Sequence, residues 1–145
     1  MRIITDYTRD AYRDINRNLF NGIVTDEAAE LIEAVTDLPK LPGTTYRTFT
    51  VDDLNEYVAS VKSSKTITFA TFSSTSRLLP VANRFKGNVR LTIRGKTGRD
   101  IAPMSDSPNE QETLYLPGLT CQIIRLKRIK VGGQLWSVEI DLVEI

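Results

Sequence analysis

The chain has 145 residues, 41% hydrophobic and 26% charged, with 19 basic against 18 acidic side chains, one cysteine and no histidine. This size and balance suit one globular domain over 1–145, since a chain of that length buries about 70% of its unfolded surface in one core. The absence of histidine excludes Ser-His-Asp and Cys-His catalysis and nearly every zinc or non-haem iron site, and a lone Cys121 excludes an intrachain disulfide. In chain order, residues 6–20 place Tyr7, Ala11, Ile15 and Leu19 at four-residue steps with charges between them, the stripe of an amphipathic helix, which Asn21-Gly22 ends. Thr25 caps a second helix, with Asp26 and Glu27 favourable at its positive end, and Pro39 and Pro42 stop helix formation. The β-branched and aromatic run 44–49 predicts a strand, and Thr50-Val51-Asp52-Asp53 predicts a cap opening a short helix to about Val58.

Beyond that point the pattern changes to alternation. Segments 66–72, 89–94, 113–116, 119–131 and 134–144 alternate apolar and polar side chains, the period of strands with one buried face. Gly132-Gly133 predicts a hairpin joining the last two, because both central positions can take positive φ. Trp136, Val138, Ile140 and Leu142 fall on one face and are expected in the core. Helices first and strands later, without a βαβ rhythm, predict an α+β domain with a mostly antiparallel sheet.

The net charge of +1 hides an asymmetry. Residues 1–73 carry 8 basic and 11 acidic groups, and residues 74–145 carry 11 and 7. Within 77–99 stand Arg77, Arg84, Lys86, Arg90, Arg94, Lys96 and Arg99 with no acidic residue between them, a stretch suited to phosphates or simply to a solvated face. No apolar run approaches the ~20 residues of a membrane span, and the opening MRIITDYTRD has no signal-peptide core, so the chain reads as soluble, with no membrane partner. No G-x-G-x-x-G is present, Gly95-Lys96-Thr97 lacks the leading glycine of a P-loop, and no acidic cluster has calcium-loop spacing. No metal is therefore expected.

Three local signals remain. They are Arg47 in the strand Thr45-Tyr46-Arg47-Thr48, the run Phe72-Ser73-Ser74-Thr75-Ser76, and Asn109-Glu110-Gln111-Glu112-Thr113-Leu114. Singly they read as a surface arginine, a turn and a solvated pair of glutamates. In this order they resemble the Arg-Ser-Glu class of ADP-ribosyltransferases, whose motifs are an aromatic-Arg strand, an aromatic-x-Ser-Thr-Ser strand end and a Glu-x-Glu strand start. The likeness extends to Tyr7, Tyr12, Ile15, Asn16 and Leu19 in the opening helix and to Pro117-Gly118 after Glu-x-Glu.

The resemblance implies N-terminal helices packed on two mostly antiparallel sheets, and NAD as substrate. It assigns Glu112 to the ribose 2′-OH and the developing positive charge, and Arg47 to the phosphates. Ser74 is expected to hold the rotamer of Glu112, Thr75 and Ser76 to tie strands together, and Phe85 to stack on nicotinamide. Thr48 and Arg84 complete the expected dinucleotide contacts. NAD carries a cationic nicotinamide on ribose C1′, so the C–N bond breaks through an oxocarbenium-like species with little acid assistance, and histidine is dispensable. A carboxylate under the ribose stabilises that charge, and an arginine fork orients a pyrophosphate better than a lysine point charge does. Glu110, two residues before Glu112 on an extended chain, would share its face and take the proton of an attacking guanidinium. In the resembling enzymes Glu-x-Glu accompanies transfer to arginine.

The implied protein is thus a mono-ADP-ribosyltransferase of arginine on a target protein. It would be the toxin domain of a secreted or delivered bacterial effector acting in a target-cell cytoplasm, monomeric, and held in check by a cognate immunity protein. The loop 103–109, rich in turn formers, is expected to choose the target. RNA is an alternative acceptor, suggested by Arg125, Lys127, Arg128 and Lys130, and water another, which would make the protein an NAD glycohydrolase. A different class of reading is a non-catalytic module binding nucleic acid or a partner through 77–99.

Overall fold

The structure, a computed structural model, describes residues 2–145. The N-terminal stripe forms α1 (Arg2–Asp6), a π-helical turn (Tyr7–Ala11) and α2 (Tyr12–Phe20), so the helix starts earlier than its periodicity predicts and contains one wide turn. Such turns recur at functional sites, because they shift side chains out of the regular register. Helix α3 (Asp26–Thr36) follows, with the Thr25 hydroxyl accepting from the Ala28 amide as expected of its cap. Strand β1 (Gly43–Phe49) leads to α4 (Leu54–Ser64), capped by Asp53, which therefore begins and ends later than the 50–58 expectation.

The predicted strand 66–72 ends early, at Phe69, and a separate strand follows it. β2 (Thr66–Phe69) pairs with one end of the sheet, the chain bends, and the hydroxyl run itself becomes β3 (Ser73–Ser76). A six-residue helix α5 (Leu79–Arg84) then appears, too short for periodicity to reveal and carrying Pro80 in its first turn. β4 (Val89–Gly95), a short β5 (Arg99–Asp100), two 3₁₀ turns (Ala102–Met104 and Pro108–Glu110), β6 (Glu112–Tyr115) and the long hairpin β7 (Leu119–Val131) and β8 (Gln134–Glu144) complete the chain. Gly132 and Gly133 take positive φ at its turn.

The eight strands form one hydrogen-bonded ladder in the order β2-β7-β8-β4-β1-β3-β6-β5. Only β4 and β8 run parallel. The two sheets implied by the resemblance are two arms of this ladder, because β1 and β3 touch at the single pair Tyr46–Ser76. Each arm has its own core. Val89, Leu91, Ile93, Val138, Ile140 and Leu142 pack under α4 through Leu54, Val58 and Val61. The other core gathers Ile4, Tyr7, Ile15, Leu31 and Val35 of the N-terminal helices against Phe72, Ile101 and Leu114.

Trp136 is not in the core, contrary to its alternation with Val138, Ile140 and Leu142. It is 69% exposed, and Leu135 packs inward instead. The register explains this: Ile129 faces Ser137 and Lys130 faces Leu135, leaving Trp136 as the extra residue of a bulge that shifts the alternation by one. Gly95 and Gly98 are required by a close approach, since a Cβ on Gly95 would run into the Tyr115 hydroxyl and ring and one on Gly98 into the Thr113 methyl. Among the described residues no helix is long and apolar enough to cross a membrane.

Candidate active site

Beyond the Tyr46–Ser76 pair, β1 and β3 part, and the gap between the arms opens a cavity of about 470 Å³. Its wall takes Tyr46, Arg47 and Thr48 from β1, Ser74, Thr75 and Ser76 from β3, Glu110 and Glu112 from the start of β6, Phe85 after α5, and Tyr7, Arg9 and Tyr12 around the π-helical turn. Of the eight residues singled out from the sequence, seven meet here: Arg47, Thr48, Ser74, Thr75, Phe85, Glu110 and Glu112. Arg84 does not. Helix α5 turns the buried Val81 and Ala82 toward the cavity, and the charged Arg84 at its end stays in water, where it keeps its hydration. No other cation of the 77–99 stretch lines this cavity, nor does any of Arg125, Lys127, Arg128 and Lys130.

The carboxylates are brought together differently from the extended geometry expected. Glu110 closes a 3₁₀ turn and Gln111 has φ 49°, so the chain kinks between them and only Glu112 belongs to the strand. Both nevertheless reach the same cavity. Burial pushes the Glu112 carboxyl up to about 7, with the Ser74 hydroxyl pulling it back and the Glu110 charge adding to the rise. Near neutral pH Glu112 therefore holds its proton far more readily than an ordinary carboxylate does.

A set of side-chain ties holds this turn. Thr75 Oγ1 donates to the Thr113 carbonyl at 2.7 Å, and Ser76 Oγ to the Glu110 carbonyl at 2.6 Å. Arg77 does more. Its Nη1 donates to the Glu112 carbonyl at 3.1 Å and to Thr113 Oγ1 at 2.7 Å, while Nη2 reaches Gln111 Oε1 at 3.0 Å and Asp100 Oδ1 at 2.9 Å. The middle residue of Glu-x-Glu is thus clamped from behind by a guanidinium that the sequence reading had left in a phosphate-attracting run. Its nearness to the Ser-Thr-Ser run was the only signal available.

Arg47 is the contrasting cation. It is half-buried, its guanidinium lies 5.2 Å from the Phe49 ring centroid, and no carboxylate among the described residues pairs with it. Burial pushes its pKa down, although a guanidinium starts so high that it stays charged. An anion entering the cavity would therefore find an uncompensated positive group already desolvated.

Tyr7 and Asn16 were matched in the sequence as helix residues without a role at the site. Tyr7, 2% exposed, sits 3.4 Å from Ser74 Oγ and accepts from Asn16 Nδ2 at 3.0 Å, while Asn16 Oδ1 accepts from the Phe72 amide at 3.1 Å. This relay fixes the start of β3 against the opening helix. The same helix holds the loop before Glu-x-Glu: Thr5 donates to the Met104 carbonyl, the Asp106 amide to Thr8 Oγ1, and Arg9 pairs with Asp106 at 3.3 Å. That ion pair is exposed and weak, so the loop is guided more than locked.

The chain is similar to several known proteins. Tre1 of Serratia proteamaculans (strain 568), named an NAD(+)–protein-arginine ADP-ribosyltransferase, is 32% identical over 114 residues, 79% of this chain and 22% of Tre1. Mav of Mycobacterium avium (strain 104) is 32% identical over 123 residues, 79% of this chain and 14% of Mav. The chain thus spans less than a quarter of either relative. Among solved structures, the ADP-ribosyltransferase Vis in complex with agmatine superposes with a TM-score of 0.77 at 22% identity, covering 99% of this chain and 72% of Vis. HopU1 of Pseudomonas syringae pv. Tomato DC3000 does so with a TM-score of 0.74 at 21% identity, covering 92% of this chain and 65% of HopU1. The family model described as ADP-ribosyltransferase exoenzyme matches residues 1–141, and with the Arg47, Ser74 and Glu110/Glu112 cavity in hand the chain belongs to the ADP-ribosyltransferase exoenzyme family.

Proposed function

We propose that the protein transfers ADP-ribose from NAD to an arginine side chain of a target protein and releases nicotinamide. The observation that carries this reading is that Glu110 and Glu112 line one cavity with an unpaired Arg47 and an exposed Phe85. Arg47 takes the pyrophosphate, Thr48 and Thr75 flank the nicotinamide riboside, and Phe85, 54% exposed, covers the nicotinamide ring by stacking. Ionised Glu112 accepts from the ribose 2′-OH and faces the charge that grows at C1′ as the C–N bond breaks. Its interaction is stronger in the transition state than in the ground state, which is what accelerates the step. The cationic nicotinamide riboside, once bound, favours the ionised form of Glu112 and opposes the rise that burial causes.

Glu110 holds the acceptor guanidinium and takes its proton as the new N–C1′ bond forms, since a guanidinium that keeps its proton is a poor nucleophile. Support comes from Tre1, named for the arginine reaction, and from Vis, crystallised with agmatine, whose guanidinium resembles an arginine side chain. The target and the delivery of the protein to it belong to the same proposal: a bacterial effector acting on a protein of another cell.

Incubation with ³²P-NAD and a protein lysate, with agmatine as a soluble acceptor, tests this reading. Labelled protein and ADP-ribosyl-agmatine are expected, both lost in Glu110→Gln, which keeps slow NAD hydrolysis because Glu112 still serves the ribose. Nicotinamide release that proceeds at equal rate with and without agmatine, and unchanged in Glu110→Gln, would identify water as the acceptor instead. Label removed by nuclease and not by protease would identify RNA.

A further inference from the structure

A second concave surface lies on the other arm of the ladder and shares no residue with the cavity around Glu112. It measures about 570 Å³ and runs between α4 and the β7–β8 hairpin. Asn55, Val58, Ala59, Lys62 and Ser63 line it from α4, at spacings of three and four that put them on one side of the helix. Arg128 and Lys130 line it from β7 and Leu135 from β8. Its floor is apolar and its rim carries three cations. No carboxylate among the described residues lies within ion-pair distance of Lys62, Arg128 or Lys130.

The hairpin strand beside this groove has a free edge. β2 pairs only with residues 119–122 of β7, and the Ile123 amide bonds the Lys65 carbonyl where the chain leaves α4. From Ile124 to Val131 the side of β7 opposite β8 has no strand against it among the described residues. Ile124 is the extra residue of a bulge, and the seven residues beyond it extend about 23 Å and leave alternate amides and carbonyls without a protein partner. The segment is also charged in one sense only. Residues 119–138 include Arg125, Lys127, Arg128 and Lys130 and no acidic residue. A second copy pairing edge to edge would set these cations against their own kind, so the edge is protected from self-association and remains open to an acidic strand.

We propose that the β7 edge and the adjoining groove receive an extended acidic segment of a partner protein. The segment adds as a ninth strand to the ladder, sets an apolar side chain on Val58, Ala59 and Leu135, and directs its carboxylates to Lys62, Arg128 and Lys130. Backbone pairing supplies the geometry and the cationic rim the selectivity, the division of labour seen whenever a peptide extends a sheet. An RNA strand would use the same cations, but it has no backbone donors complementary to a strand edge, and although Trp136 next to Leu135 is exposed, no aromatic lines the groove itself for base stacking.

The test is fluorescence anisotropy with a labelled eight-residue peptide alternating Glu and Val, against the whole chain. Three comparisons accompany it: the same peptide N-methylated at alternate residues, a Lys/Val peptide, and a single-stranded RNA octamer. Saturable binding of the Glu/Val peptide is expected, weakened at least tenfold by N-methylation and by the triple variant Lys62→Glu, Arg128→Glu, Lys130→Glu, with no saturable binding of the Lys/Val peptide. Amides of residues 125–131 should gain hydrogen-exchange protection. The triple variant should hydrolyse NAD at the wild-type rate, which certifies its fold. If it does not, the milder Arg128→Gln should still weaken the peptide severalfold. Equal affinity for the N-methylated peptide, indifference to the charge changes, absence of saturable binding, or tighter binding of the RNA would each overturn the proposal.

Discussion

The two arms of the ladder are built on different physics. The arm of β4, β1, β8 and β7 is a lattice of aliphatic side chains, with Val89, Leu91, Ile93, Val138, Ile140 and Leu142 buried under α4. The arm of β3, β6 and β5 also has an apolar side against the N-terminal helices, but its turn into Glu-x-Glu is held by hydroxyls and one guanidinium. Apolar burial is non-directional and supplies stability in bulk. Hydrogen bonds add about 1 kcal/mol each and are directional, so they suit a kinked turn in which two carboxylates must reach one cavity. The cavity opens where the two kinds of construction part, at the single Tyr46–Ser76 pair.

That contrast breaks apart under mutation, and the largest effect is expected at Glu112. Glu112→Gln should lower the rate of nicotinamide release about 10³-fold in NAD turnover assays, the scale of losing one aligned charge from the transition state. The same change should stabilise the fold at alkaline pH. The Glu112 carboxyl stands at about 7 in the folded chain against 4.5 as its ordinary value, so the native state holds the proton more tightly and wild-type stability falls as pH rises from about 4.5 to about 7. Relative to wild type, Glu112→Gln should be neutral near pH 4 and more stable by about 2 kcal/mol at pH 8, read as a Tm gain of roughly 6 °C, with water at the cavity mouth screening part of the full difference. Wild-type activity should rise with pH toward about 7, because only the carboxylate form serves the oxocarbenium-like charge.

Ile140→Ala attacks the aliphatic arm and should cost 2–5 kcal/mol in urea melts by leaving a cavity at a fully buried site, with activity per folded molecule nearly unchanged. Arg77→Met inverts that pattern. It removes the clamp on Glu112 and Gln111 while keeping the stem's packing, and should lower kcat by roughly tenfold to a hundredfold, since an error of about 1 Å at a catalytic group is worth that much. Loss of both stability and activity in equal proportion would mean that Arg77 only holds the arm together. The smallest effect is expected at Trp136→Ser, within about 0.5 kcal/mol, because the bulge already leaves this ring in water. A large loss there would show that the Trp136 ring packs against the sheet.

Much of the candidate site was legible from residue types in order. Arg47, Ser74 and Glu112 stand in short motifs whose chemistry is local, and the hydroxyls of Thr75 and Ser76 make cross-strand bonds that their place beside β6 allows. The role of Arg77 was not legible, because four of its partners lie on segments that sequence cannot show to be adjacent. Arg84 failed for the opposite reason: nearness in sequence to Phe85 suggested a shared wall, and the end of a short helix sent the two side chains to different surroundings. Trp136 shows the limit of period-two reasoning, in which one inserted residue reverses every assignment beyond it.

By itself, the sequence determined which chemistry was open. Without histidine and with a single cysteine, any chemistry was left to carboxylates, hydroxyls, arginines and lysines, an inventory that suits a leaving group already activated. It also determined the order of the longer helices and strands, because periodicity is written locally. Tertiary structure alone decided the environment of each group: that Arg77 is consumed in holding a turn while Arg47 stays uncompensated, and that the Glu112 carboxyl rises to about 7. Charge, pKa and exposure depend on desolvation and on neighbours distant in the chain, and those exist only once the two arms have closed on the helices.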